Sequence, residues 1–524
     1  MIARRGGRGC LRVPGVLSRL RAAMPRAALA LALTAAALAV ALVADGRSLA
    51  SQAVDRGDEN SWIRIQNVGG APANIQIDFY DRAGNRVTTE ACPQAGVCTA
   101  LRPGFGWSFF QQTNLALPAG FRGGGHVTVD QPFVAMLGRD VLRADGSFEI
   151  DGDSLRLGAP TPQQYAPVVA NNDTFVSRLS LQNTSADAPA CVEIRYFREG
   201  SLSPAAVDPP APTGGCSRGG HLLGPRATLV RDERSLPVAL GFDGAAVVRT
   251  YDTDSGVAAS AQLPSLVVDT RDRHRPGLGS YRGINQDELS RVVVLPMVDR
   301  NASEGQSRWS TRFRILNGDP TVPNEVSLRF EGRDAAGSEL AFEHTVVVTS
   351  SLTCDQRVDG PGSCLPPDKT LPSTFFGTVR MQAVQPIAVV AQRISPNGGL
   401  SDYRGFSAAE ASRQVVLPVL NKNFGPFGGR RGWNSWFRVL TFDGSTALVH
   451  IGYYSRAFPN GLITEARPVR GQATFRQWEE PRLPDGWVGS AIVLADRPVV
   501  VIANLESDVF RGDPVMLYNG ISLE

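Results

Sequence analysis

The residues that could carry chemistry in this chain are few and scattered. His126, His221, His274, His344 and His450 are all of its histidines, and no two stand at helical or hairpin ligand spacing. A histidine-based metal centre or catalytic triad therefore has no basis in the sequence. Nucleophile-elbow, zinc-protease, P-loop and dinucleotide-binding patterns are also missing. Acids occur in local pairs: Asp151 and Asp153 in "EIDGDS", Asp252 and Asp254 in "YDTDSG", Glu479 and Glu480 in "QWEEP". A glycosidase needs two carboxyl groups facing one cleft, usually from distant strands. Short hydrophilic pairs such as these read instead as solvated turn acids. Asp252 and Asp254 place hard oxygen ligands at alternate positions, as a calcium loop does, but the Asp-Gly and the bidentate Glu that should follow are missing. No catalytic residue and no cofactor are assigned, and calcium at Asp252 and Asp254 is the one metal candidate.

Aromatic residues offer a second kind of chemistry. Trp433, Trp436, Phe437, Trp478 and Trp487 fall near the C-terminus, beside the loop "GPFGGRRG". Trp436 and Trp487 align with strand positions and read as core. Trp433 and Trp478, with the neighbouring Arg430 and Arg431, are the candidate binding residues, since exposed aromatics stack on sugar rings. "RGD" occurs at Arg56–Asp58 and Arg511–Asp513, close to chance in a chain this rich in Arg and Gly.

These residues are positioned by a repeat. "LPAGFRGGGHVTVDQPFVAML" (from Leu117), "LPSTFFGTVRMQAVQPIAVVA" (from Leu371) and "LPDGWVGSAIVLADRPVVVIA" (from Leu483) share Leu-Pro, a later Gly, and Pro132, Pro386 or Pro498 before an apolar run. The phrase reads as a hairpin, with Gly setting its start and Pro its turn. A preceding phrase also recurs, from Ser61, Ser177, Thr311 and Ser435: an alternating strand, a polar turn and a second alternating strand. Asn67, Asn183 and Asn317 end the first strand of three copies and Thr441 that of the fourth, where Asn can bond the turn backbone. Framing segments "YAPVVANND", "VVVLPMVDRN" and "VVLPVLNKN" precede the second to fourth copies, and "SYRGIN", "DYRGFS" and "LYNGIS" close them. The first copy lacks both frames in clear form. In the second, Gly256 stands where Pro is expected.

Period-two alternation, abundant Gly and Pro, and scarce helical patterns predict an all-β chain. Its 524 residues exceed a single core. We read residues 1–50 as a signal peptide or membrane anchor, followed by four tandem immunoglobulin-like β-sandwich units at 51–160, 161–288, 289–410 and 411–524. A four-bladed propeller is the rival, but the units are more than twice the length of a usual blade.

The N-terminus has seven arginines and no acid before Ala44, then the apolar run Ala27–Ala44. That is the order of an export signal, with cleavage near Ala44 or Ala50. Without those arginines the formal charge of +3 becomes −4, which gives the body no electrostatic reason to seek nucleic acid. Membrane contact is expected only through an uncleaved N-terminal segment. Six of the seven cysteines fall into local pairs: Cys92 with Cys98, Cys191 with Cys216, Cys354 with Cys364. Three disulfides in an oxidising compartment are expected, and with them an extracellular, periplasmic or cell-surface location.

The stretch "IQNVGGAPANIQIDFYDRAGN…LRPGFGW" resembles bacterial surface immunoglobulin-like modules of the adhesion-related, CARDB-like kind. The likeness lies in an Asn-x-Gly turn between two strands, an aromatic strand end and the Leu-x-Pro-Gly turn at Leu101–Gly104. The resemblance implies extracellular adhesion or scaffolding and carries over no catalytic residue. The expectation is a non-catalytic exported repeat protein, an adhesion, envelope or scaffold component. Its partner would be a cell-envelope polymer, a polysaccharide or a surface protein. The alternatives are a carbohydrate-binding protein using aromatics of the last unit and, more remotely, a glycan-active enzyme.

Overall fold

The computed structural model describes residues 59–524, apart from 95–97, 157, 159, 212–213, 218, 254–258, 260–263, 305–306, 426–431, 465 and the terminal 524. The signal or anchor expectation for residues 1–50 lies outside the described residues. Those described residues form β-strands and short 3-10 turns, with no α-helix among them. None of their helices is long and apolar enough to cross a membrane.

Strands sort by repeat. The first unit builds a three-stranded sheet from Ile75–Asp81, Arg86–Cys92 and Gly123–Val129, and a second sheet from Glu59–Asn67, Gly106–Phe110, Phe133–Leu142 and Ser147–Ser154. Separate sheets hold the strands of 163–285, 290–407 and 412–523, except Arg511–Asp513.

The repeated phrase is not a hairpin. In the third unit it is one strand, Phe375–Ile394, and in the fourth another, Trp487–Ser507. The first part of Phe375–Ile394 pairs with Ser290–Arg300 and Asn324–Asp334, and the last part with Ser307–Asn317 and Leu400–Arg404. The strand thus exchanges one set of ladder partners for another, with Pro386 at the crossing. A strand that switches sheets makes the corner of a sandwich, and Pro marks the place where ladder bonding changes partner. In the first unit the switch is complete enough to divide the phrase into two strands, Gly123–Val129 and Phe133–Leu142, in different sheets.

Local chemistry explains the turns. Buried Asn67 donates from Nδ2 to the carbonyls of Ala71 and Leu101, each at 2.7 Å, and its Oδ1 accepts from the Gly69 amide at 2.8 Å. Asn183 donates to Ala188 and accepts from Ser185, both at 2.9 Å, and Asn317 donates to Val322. Thr441 holds the equivalent place in the fourth unit by donating to the Gly471 carbonyl at 3.0 Å. Buried turn backbone must find partners, and an amide side chain supplies donor and acceptor together. All three cysteine pairs are bonded, with Cα–Cα separations of 5.6, 5.7 and 5.2 Å.

Four strands meet at the centre: Ser147–Ser154, Leu278–Arg282, Leu400–Arg404 and Val515–Asn519, one from each unit. Each packs against the next, and the last packs against the first, so the four units of the described residues close into a ring. Arg511–Asp513 seals the closure by pairing in parallel with Ser147–Glu149 of the first unit. The closing motifs place Tyr281, Tyr403 and Tyr518 here. Each tyrosine turns into its own unit and donates its hydroxyl to a framing strand, at the carbonyls of Val168 (2.7 Å), Met297 and Val419 (2.6 Å).

Candidate functional site

The sequence candidates separate in space. Trp433 is buried, so its reading as an exposed binding residue is corrected. It packs against Phe510 and, across the ring closure, against Phe148 of the first unit, with centroids 5.6 and 5.8 Å apart. Its strand follows the framing segment and turns inward toward the seam, so the ring covers a position that looked peripheral. Arg430, Arg431 and Asp254 lie outside the described residues. Asp252 ends the strand Phe242–Asp252. Among the described residues no group of three or more His, Cys, Asp or Glu is placed to hold a metal. Trp436 and Trp487 are core residues, as their alignment suggests.

Trp478 remains. It sits half-buried in the short turn Gln477–Glu479, packed against apolar core shared by the third and fourth units. Beside it opens a cleft of about 1320 Å³ between those units. Alternation on neighbouring strands gives this cleft its polar lining. Arg329, Glu331 and Arg333 line it from one strand, facing Arg380, Arg438 and Arg476 on others. Arg329 pairs with Glu331 at 2.6 Å, and the Arg380 guanidinium lies 5.2 Å from the Phe442 ring centroid. Arg438 is held by Thr474 Oγ1 at 3.2 Å and by the Pro296 carbonyl of the third unit at 3.3 Å. Guanidinium and carboxylate groups beside an indole form a lining that can hydrogen-bond a polyhydroxylated ring while an aromatic face supports it.

The densest set of ionisable groups lies elsewhere, at the ring centre. Asp151 and Asp153 are buried there, which corrects their reading as solvated turn acids. The period-two spacing of Glu149, Asp151 and Asp153 is the signal that marks them as one face of a strand. The four central strands meet without a continuous backbone ladder, so their amides need other acceptors. Asp151 Oδ2 accepts from the amides of Ser280 (2.6 Å) and Asp402 (3.2 Å), joining three units. Asp153 Oδ2 accepts from the Arg282 amide at 3.1 Å and from Arg404 Nε at 2.9 Å. Asp513 Oδ2 accepts from the amides of Leu278 (3.3 Å) and Leu400 (2.7 Å). The second "RGD" is thereby spent inside the structure, with Asp513 buried.

Burial governs the protonation of this centre. It lifts the Asp402 carboxyl from its ordinary range to about 7, against the hydrogen bond from Gln392, with the charges of Asp269 and Asp153 adding to the rise. Burial, then the neighbouring Asp402, pushes Asp151 well above the usual range, and burial does the same to Asp513. Seams between units show the opposite balance. Burial acts to raise Glu59, but Arg139, Arg178 and Arg271 outweigh it and hold the carboxyl far below its usual value. Asp269, in contact with Arg139 and Arg178, is likewise held low against burial. Both carboxylates tie the first unit to the second: Glu59 pairs with Arg178 and Arg271, and Asp269 with Arg139.

No protein-family model matches the chain, and comparison with curated proteins gives no match. Among solved structures, a tetra-tandem repeat from the extending region of a large adhesion protein aligns over 90% of this chain and 97% of its own, at 12% identity and a TM-score of 0.09. The infectious bursal disease virus VP2 subviral particle aligns over 89% of this chain and 80% of its own, at 10% identity and a TM-score of 0.11. At these scores neither likeness carries an argument about fold or function.

Proposed function

We propose that the protein is an exported, non-catalytic scaffold or adhesion component that works outside the cytoplasm as a ring of immunoglobulin-like units. The observation that carries this reading is the use made of its buried acids. Asp151, Asp153, Asp513, Glu59 and Asp269 each bond an amide or guanidinium group of a neighbouring unit. Such a body holds its surfaces in fixed relation, which suits presentation to a large partner. Three local disulfides support an oxidising location. The partner we propose is a cell-envelope polymer, a polysaccharide or a surface protein, with no catalytic step. Purified residues 51–524 incubated with envelope fractions, with and without calcium, test it. Saturable retention on the envelope is expected. Turnover of an envelope glycan would overturn it.

A second reading is favoured by the cleft beside Trp478: a carbohydrate-binding role, with the indole as a stacking face and the arginines as hydrogen-bond donors. On a polysaccharide panel, Trp478→Ala should weaken binding about tenfold or more, since an aromatic contact of this kind contributes about 1 kcal/mol beyond its buried area. Unchanged binding would remove the cleft from the account.

A further inference from the structure

The first unit differs from the other three at one edge. In the second unit, Phe242–Asp252 lies between Ala190–Arg198 and the framing strand Gln163–Asn171. In the third, the first part of Phe375–Ile394 lies between Asn324–Asp334 and Ser290–Arg300. In the fourth, the first part of Trp487–Ser507 lies between Thr446–Ser455 and Ser412–Lys422. The equivalent strand of the first unit, Gly123–Val129, pairs with Ile75–Asp81 on one side. Among the described residues, no strand pairs with its other side.

The geometry of that edge is specific. The Asp130 amide donates to the Asn74 carbonyl, and alternate residues of an antiparallel strand point their backbone groups to the same side. The backbone groups of Gly125, Val127 and Val129 therefore face outward, in the open direction. Their side-chain direction is the core: a Cβ on Gly125 would approach Ile63, Ile77 and Phe79 at 3.7 to 3.9 Å. Yet Gly125 is exposed and Val127 and Val129 are half-exposed, whereas their counterparts Val379, Met381 and Ala383 in the third unit are buried. Among the described residues, the unit is short of one strand of apolar cover as well as one ladder of hydrogen bonds.

We propose that this edge is a strand-acceptor site, filled by an extended segment of another polypeptide that adds to the sheet beside Gly123–Val129. The three framing strands define what it accepts. Each is an apolar run with an internal Pro, ending in Asp or Asn: "YAPVVAN", "VVVLPMVD" and "VVLPVLN". Leu295 sits opposite Val379 and Leu417 opposite Ala491, so a branched apolar residue of the incoming strand belongs opposite Gly125. Gly125, with no side chain, leaves that residue more room than either counterpart does. The main-chain ladder supplies affinity, and the alternate inward pockets supply selectivity. The edge carries neither Lys nor Pro between Gly123 and Val129, two of the usual guards against strand addition.

The test is a peptide copying Ser412–Lys422, SRQVVLPVLNK, titrated into the full-length chain. Saturable binding is expected, with hydrogen-exchange protection gained at Gly125, Val127 and Val129. The same peptide carrying Leu417→Lys should bind at least tenfold more weakly, a comparison that leaves the protein itself unaltered. In the protein, Val127→Pro removes one outward amide and should weaken binding by a similar factor. No binding up to millimolar peptide, equal binding of the lysine peptide, or protection confined to other strands would overturn the proposal. Envelope binding is read in a separate assay, so failure here leaves the adhesion reading where it stands.

Discussion

Asp402 shows how much the interior of this ring asks of single side chains. One of its oxygens accepts from Gln392 Nε2 at 3.2 Å, and the other has no partner among the described residues. Its carboxyl titrates near 7 in the folded protein, against an ordinary value of 3.8. A raised folded value means that its contribution is fully present below about pH 4 and is lost as pH rises through 7. Asp402→Asn keeps an acceptor toward Gln392 without the charge. Thermal melts should therefore show the variant gaining on the native protein between pH 5 and pH 8, by an amount on the order of a few kcal/mol. A pH-independent difference would show that Asp402 is not the titrating group. Trp433 belongs to the same scale. Its indole joins Phe148 and Phe510 at the closure, so Trp433→Ala should cost about 3–5 kcal/mol in denaturant unfolding. A cost within about 0.5 kcal/mol, the ordinary effect of a surface substitution, would return Trp433 to the surface.

At the scale of elements, strand content was legible because it rests on short-range patterns. The Asn that ends the first strand of three units, Asn67, Asn183 and Asn317, was read from its type and place, and the buried amide does bond the turn. The sheet-switching strand was not legible. Gly and Pro in "FFGTVRMQAVQPIAVVA" mark a turn as readily as a corner, and only the partners of each half decide between them. The acids of "EIDGDS" were misread for a related reason: polar residues signal water unless three other strands approach the same axis. Local disulfides, by contrast, follow from spacing alone. Cys191–Cys216 closes a 25-residue separation, and Cys191→Ser should lower unfolding stability by about 2–4 kcal/mol. Addition of reductant to the native protein should reproduce that loss, and indifference to both would mean that the bond does not constrain the chain.

On the scale of the whole molecule, a tandem repeat becomes a ring because its last unit is built to meet its first. Arg64 of the first unit donates to the Pro418 carbonyl of the fourth at 2.9 Å, and Arg438 of the fourth repeats the contact on Pro296 of the third. In the third unit Arg314 reaches the Gly244 carbonyl of the second. One strand position thus serves three seams. Ser490 adds a second bond at the closure, donating to the Gly104 carbonyl at 2.8 Å. The candidate cleft exists because two units are held side by side, and the open edge of the first unit stands out because three others are filled. Closure of the ring is therefore the claim on which the rest depends, and small-angle scattering of purified residues 51–524 tests it most directly. A closed body of this size should give a radius of gyration of about 23 Å and a compact distance distribution. A value of roughly 40 Å, with an elongated distribution, is what four such units in a row would give and would contradict the account.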